Sequence, residues 1–173
     1  MALVVEDGTG LVLATSYAGI EDVNSWMVGR EDDAAWLGAS VDRQEAALLE
    51  ATTYLDGTFM WKGTIKLGAQ ALAWPRVDAY DNEGRYIDPN SLPRALVYAC
   101  CFLAGKAVSS SLQPEREIGV PSVRSKSVGT LSITYSDAGQ TTKREWPEVR
   151  TMLTGLTIGG GPGDMAGTMV RWS

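Results

Sequence analysis

Side chains that could catalyse a reaction are scarce in this sequence. It contains no histidine, which removes the commonest general base and the commonest nitrogen ligand of zinc. The serine run Ser109–Ser111 therefore lacks a base to activate it, and Lys106 alone is a weak substitute. Cys100 and Cys101 are adjacent in an apolar segment, where helical neighbours point about 100° apart, so we expect two buried thiols and no disulfide. These features predict a protein that is not an enzyme.

Two short motifs suggest ligand binding but lack the residues it requires. The sequence GGGPG at 159–163 does not end in Gly-Lys-Ser/Thr and follows a helical pattern instead of a strand, unlike a phosphate-binding loop. The sequence DNEG at 81–84 lacks the alternating ligands and the closing glutamate of a calcium loop, so a solvated turn is favoured. We therefore expect neither a cofactor nor a metal.

The composition is that of a globular protein with an acidic balance. The chain is 45% hydrophobic and 21% charged, with a formal net charge of -6. Acidic chains are poorly suited to wrapping nucleic acid, which requires clustered Lys and Arg. The longest uncharged apolar run, residues 95–105, is well below the ~20 residues of a membrane span, and the N-terminus lacks the features of a signal peptide. We expect a soluble protein, made in the cytoplasm, without a membrane partner.

Periodicity and turn residues predict a mainly α fold. We expect a small helical bundle of about four helices, short β-hairpins and an extended C-terminal tail. Helices are expected from Ile20 to Gly29, from Ser40 as N-cap to Gly57 with a stripe of Val41, Leu48 and Leu55, from Pro93 to about Ser109, and from Pro147, with a further helical turn around Trp36. A hairpin is expected at residues 3–13 with Ser16 capping the helix after it, an exposed connector at 114–127, and a strand in VGTLSITYS at 128–136.

The loop at residues 58–91 contains a stiff elbow, Trp74-Pro75-Arg76, with Tyr80 close behind. Proline reduces the entropy lost on docking, and Trp, Tyr and Arg are the residue types that dominate interfaces. One interpretation is that Trp74, Pro75, Arg76 and Tyr80 form a subunit interface. The other is that Trp74 caps the chain's own core.

The chain divides into a domain at 1–156 and a flexible, glycine-rich arm at 157–173. The arm has no helical or strand period, yet it carries apolar side chains that water does not favour. We expect it to order against a neighbouring protein through these residues: Ile158, Met165, Met169, Val170, Arg171 and Trp172.

An ordered set of motifs spans most of residues 1–156. A helix ending in YLDG is followed by WKG, QALAWPR, a glycine-containing turn and LPRALVYACCFLA. In this order the set resembles the head–tail connector, or adaptor, proteins of long-tailed bacteriophages, whose relatives are often labelled DnaT-like single-stranded-DNA-binding proteins.

The resemblance implies a structural virion protein at the head–tail neck. It implies a ring, typically of twelve copies, between the portal and tail-side neck, terminator or tail proteins, with genomic double-stranded DNA passing through the lumen. Net negative charge suits such a conduit because it repels phosphate. The alternative is a DnaT-like single-stranded-DNA-binding replication protein. That function requires basic grooves with stacking aromatics, whereas the aromatic residues here mostly adjoin apolar or acidic ones.

Overall fold

The computed structural model describes residues 3–30, 33–113 and 146–159, and the backbone of strands at 126–128 and 131–133. These residues form a mainly helical structure, which confirms the predicted fold class. Its helices are α1 (Ile20–Met27), α2 (Asp33–Leu37), α3 (Val41–Thr58), α4 (Arg94–Ser109) and α5 (Pro147–Leu153). Its strands are β1 (Thr64–Ile65), β2 (Arg76–Val77), β3 (Lys126–Val128) and β4 (Leu131–Ile133).

Two compact units make up the chain. The larger contains all five helices with β1 and β2, which pair antiparallel with Thr64 opposite Val77. The smaller, residues 113–145, contains β3 and β4, a hairpin in which Lys126 lies opposite Ile133. The strand predicted at 128–136 is therefore present as β4, but β3 begins inside the expected connector.

Helix α4 lies at the centre of the larger unit and contacts α1, α2, α3 and α5. Many of its buried residues are small, which allows the other helices to approach closely. The buried residues of α4 are Leu96, Ala99, Cys100, Cys101, Leu103, Ala104, Gly105 and Ala107. Both cysteines are free thiols, and burial raises the pKa of Cys100 to about 11 and also raises the pKa of Cys101. These observations confirm the predicted helix from Pro93 to about Ser109 and its two buried thiols.

Capping residues fix the antiparallel pair of α3 and α4. Ser40 accepts a hydrogen bond from the backbone N–H of Arg43 at 3.4 Å, as predicted for an N-cap. The Arg43 side chain donates to the carbonyl oxygens of Ala107 and Val108, at 2.6 and 3.2 Å from Nη2, at the C-terminal end of α4. Val41, predicted on the buried stripe, is instead 60% exposed because only Leu48 and Leu55 of that stripe face α4.

The hairpin predicted at residues 3–13 does not form. The buried Glu6 carboxylate accepts hydrogen bonds from the backbone N–H groups of Gly8, Gly10 and Leu11, at 2.9, 2.8 and 2.8 Å. These backbone donors are therefore satisfied by one side chain and not by a partner strand. The predicted cap was also wrong, since Gly19 is the N-cap of α1 and the buried Ser16 hydroxyl donates to the carbonyl of Ala18.

A buried polar network ties the elbow to α3. The Tyr17 hydroxyl donates to Asp56 Oδ1 at 2.5 Å and accepts from the Trp74 backbone N–H at 3.2 Å. Asp56 Oδ2 accepts from the Ala73 backbone N–H at 3.1 Å. Burial raises the pKa of the Asp56 carboxyl above its ordinary value, against the opposing effect of these hydrogen bonds. The network explains in physical terms how an irregular loop holds a fixed position.

The raised pKa of Asp56 predicts a specific dependence of stability on pH. Protonated Asp56 contributes its full stabilisation below the pKa that its carboxyl has in the unfolded chain, near 3.8. This contribution is lost as pH rises through the pKa of the same carboxyl in the folded protein. The wild-type protein should therefore gain stability relative to Asp56→Asn when pH falls from about 7 to about 4. Urea unfolding of both proteins at the two pH values measures the difference between their free energies of unfolding. The contributions of the carboxylates that both proteins share cancel in this difference. A difference independent of pH would contradict the assignment.

None of the helices within residues 3–30, 33–113 and 146–159 is both long enough and apolar enough to cross a membrane.

Candidate nucleic-acid interface

An open groove of about 530 Å³ lies where the end of α1, the start of α4 and the end of α5 meet. Two aromatic side chains, Trp26 and Tyr98, and two cations, Arg30 and Arg94, line it. Apolar side chains, including Ile87, Met152 and Leu156, complete its wall. We call it the aromatic groove and define it by Trp26, Arg30, Arg94 and Tyr98. It combines apolar surface, aromatic rings and positive charge in one concave site.

Each arginine of the aromatic groove is paired with an aromatic ring. The Arg30 guanidinium carbon lies 3.9 Å from the centroid of the Trp26 ring, and Arg30 Nε donates to the Trp26 carbonyl at 2.6 Å. The Arg94 guanidinium carbon lies 5.6 Å from the centroid of the Tyr98 ring. Both distances fall in the range of cation–π contacts. Among the residues that the structure describes, no carboxylate helps these pairs to position the two arginines.

The arrangement is chemically suited to single-stranded nucleic acid. Bases stack on aromatic rings and on guanidinium planes, and guanidinium groups form charge-assisted hydrogen bonds with phosphate. Tyr98 is 41% exposed, so part of its ring is open to a ligand. Arg94 forms no side-chain hydrogen bond and no ion pair with any residue that the structure describes, so its donors are available.

The charge of the aromatic groove is more positive than the net charge of the chain suggests. Asp81 is its acidic lining residue, and Asp81 Oδ2 accepts from Arg85 Nε at 2.9 Å. The backbone N–H of Arg85, followed by its side chain, holds the pKa of Asp81 below its ordinary value. Arg85 also pairs with Glu83 at 3.0 Å. Arg85 is thus shared between two carboxylates, and the described charged residues that line the groove, Arg30, Arg94 and Asp81, carry a formal charge of +1.

The four residues predicted as a subunit interface do not share one exposed surface. Trp74 is fully buried and packs edge-on against Trp61, with 6.1 Å between ring centroids, and Pro75 is also buried. Arg76 is half-buried, and its guanidinium donates to the carbonyls of Lys62, Gly63 and Ala73. Tyr80 is 50% exposed. The structure thus favours the alternative interpretation, in which Trp74 caps the chain's own core.

The predicted arm is described only at its beginning. Ile158 is 56% exposed, and its backbone N–H donates to the carbonyl of Met60 at 2.8 Å. The other residues predicted to bind a neighbour lie outside the described residues: Met165, Met169, Val170, Arg171 and Trp172.

The immediate sequence neighbours of the aromatic residues do not reveal the aromatic groove. On a helix the relevant neighbours are three and four residues away, and Arg94 and Tyr98 have this spacing on α4. Trp26 and Arg30 are also four residues apart, although Arg30 lies beyond the end of α1. An i, i+4 search for arginine and aromatic pairs would have found both.

Comparison with known proteins gives one family. The family described as "Putative DnaT-like ssDNA binding protein" matches residues 1–172. No curated protein and no solved structure matches the chain. The family label that accompanied the resemblance is therefore confirmed. Nothing in the comparisons indicates a head–tail connector, so the expected bacteriophage virion role was wrong. The expected ring and its portal and tail-side partners stay predictions, since no comparison bears on them.

Proposed function

This chain belongs to the family described as "Putative DnaT-like ssDNA binding protein", and from that premise we propose that it binds single-stranded DNA in the aromatic groove. The observation that supports this proposal most strongly is the convergence of two arginine–aromatic pairs on one concave site. Arginine and aromatic ring are both needed. Phosphate contacts through an arginine supply affinity but do not hold a base, and an aromatic ring stacks on a base but supplies no positive charge.

Each paired group has a separate task. Bases stack on the exposed face of Tyr98 and on the Arg30 guanidinium, which already lies against the Trp26 ring. Arg94, with its hydrogen-bond donors available, contacts the phosphate of the same nucleotide or the next. Stacking needs the face of a base, and duplex DNA covers that face with the adjacent base pair. The groove therefore selects single strands over duplexes.

The net charge of the chain sets the strength of the interaction. At -6, the protein repels a polyanion at long range, and only the local field of the aromatic groove attracts it. The phosphate contact assigned to Arg94 would give a slope of log affinity against log salt of about -0.7, the contribution of one contact on a single strand. We therefore expect weak binding that is clearest at low salt.

Replacing Tyr98 with alanine should weaken the binding of oligothymidine by ~5- to 100-fold, the loss expected for one stacked base. Tyr98 is exposed enough that the fold should be retained, which circular dichroism verifies. Fluorescence anisotropy with a labelled strand at low salt measures the affinity. Arg94→Gln should also weaken binding and should make the salt slope shallower by about 0.7.

Lys106→Gln is the charge-matched control for Arg94→Gln. Lys106 lies on the same helix, about 18 Å along its axis from Arg94, and does not line the aromatic groove. Measured at about 0.1 M salt, where the Debye length is about 10 Å, its replacement should change affinity by less than about twofold, because charges farther apart than that are largely screened. Equal losses for Arg94→Gln and Lys106→Gln would contradict binding in the groove, as would duplex DNA binding as well as single strands.

A further inference from the structure

A second groove, of about 550 Å³, lies on the other side of the loop and helix that border the aromatic groove. Its cations are Lys62 and Arg150, and Asn82, Thr151 and Thr154 also line it. We call it the basic groove and define it by Lys62 and Arg150. We infer that the basic groove holds backbone phosphates of the same DNA strand whose bases occupy the aromatic groove. This inference rests on the proposed function.

The two grooves are immediate neighbours. Asp81 lines the aromatic groove and Asn82 lines the basic groove, while Met152 lines the first and Thr151 the second. Consecutive Cα atoms are about 3.8 Å apart, so a single ridge separates the grooves. A strand that leaves the aromatic groove across this ridge enters the basic groove. The carboxylate on the ridge is Asp81, whose Oδ2 accepts from Arg85 Nε at 2.9 Å.

The charges of the basic groove are suited to phosphate. Lys62 Nζ donates to Asn82 Oδ1 at 2.6 Å and to the Gly155 carbonyl at 3.0 Å, which fixes the ammonium in place and leaves one of its donors for a ligand. The Arg150 side chain forms no hydrogen bond and no ion pair within the described part of the chain, and it is exposed. No carboxylate is present among the described residues that line this groove.

The remaining side chains of the basic groove argue against base recognition. The hydroxyls of Thr151, Thr154 and Thr157 donate to the carbonyls four residues earlier, at 2.9, 2.9 and 3.1 Å, so their protons are already used. No aromatic ring is among its described lining residues. The groove therefore offers positive charge without an aromatic ring on which a base could stack, which favours a phosphate contact. Stacking and phosphate binding are thereby divided between two adjacent grooves.

This division predicts that the effect of Arg150 depends on strand length. Arg150→Gln should leave the affinity for a short oligothymidine of ~4 nucleotides unchanged within about twofold, because such a strand fills only the aromatic groove. The affinity for a strand of ~16 nucleotides should fall by about 3- to 10-fold, and its salt slope should become shallower by about 0.7. Lys106→Gln, which removes the same charge elsewhere, should affect neither strand.

The outcomes separate this inference from the proposed function. Suppose that Arg150→Gln binds the long strand with the same affinity as Lys106→Gln, while Tyr98→Ala still binds it more weakly than the wild type. The inference is then overturned and the proposed function stands. Equal losses of affinity for the short and the long strand would also overturn the inference, since they would show that Arg150 contacts the nucleotides bound in the aromatic groove. If the wild-type protein binds neither strand, the proposed function fails and the inference fails with it.

Discussion

Replacing Trp74 with alanine is expected to lower the free energy of unfolding of the isolated chain by about 3–5 kcal/mol, the cost of removing a large buried aromatic side chain. Trp74 is fully buried and meets the Trp61 ring edge-on, so its removal leaves a cavity that the surrounding loop fills only in part. Urea unfolding followed by far-ultraviolet circular dichroism measures the loss.

Tyr80→Ala is the control for Trp74→Ala, because it removes an aromatic side chain from the same loop. Tyr80 is 50% exposed and packs against Tyr86 with 5.5 Å between the ring centroids. Its replacement should therefore lower the free energy of unfolding by less than about 1 kcal/mol. If Trp74→Ala were as mild as Tyr80→Ala, Trp74 would not belong to the core, and its interpretation as an interface residue would regain support.

Replacing Gly63 with alanine is expected to destabilise the protein by at least about 2 kcal/mol. Gly63 has a φ of +70°, a conformation that side chains disfavour. A Cβ atom there would lie 2.3 Å from the carbonyl oxygen of Val77 and 2.9 Å from the backbone nitrogen of Ala79. Both are backbone atoms, so relief requires β2 to move away from the segment that begins β1. Thermal unfolding measures the loss.

Gly57→Ala is the control for Gly63→Ala, because the same substitution is expected to raise stability at this position. Gly57 lies in α3, and a Cβ atom there would have nothing within 4 Å. Alanine should therefore stabilise the helix by about 0.5–1 kcal/mol. A Gly63→Ala variant as stable as the wild type would show that β1 and β2 tolerate separation and do not fix the loop.

The elements that sequence patterns predicted well are those with local causes. The Ser40 cap and the helix predicted from Pro93 to about Ser109 depend on residues within a few turns, and both are present. The Glu6 loop was not predictable in this way, because alternating apolar residues around glycines are equally compatible with a hairpin. Its outcome depends on a buried carboxylate that satisfies three backbone donors.

The elbow shows why residue type alone did not locate the site. Trp74 and Arg76 are typical of interfaces, but the same properties suit a loop that must be held against its own core. Arg76 uses its guanidinium on three carbonyls of this chain, and Trp74 fills the interior. By contrast, the arginines of the aromatic groove could have been found from i, i+4 spacing, although the junction of α1, α4 and α5 is a tertiary feature that spacing does not show.

Photo-crosslinking of oligothymidine to the wild-type protein at low salt, with mass spectrometry of the crosslinked peptides, tests the central claim most directly. Binding in the aromatic groove places bases against Tyr98 and the Arg30–Trp26 pair. We therefore expect crosslinks in the peptides that contain Trp26 and Tyr98, and we expect excess unlabelled single strand to compete for them. An absence of crosslinks at saturating DNA, or crosslinks confined to residues outside the groove, would contradict the proposal.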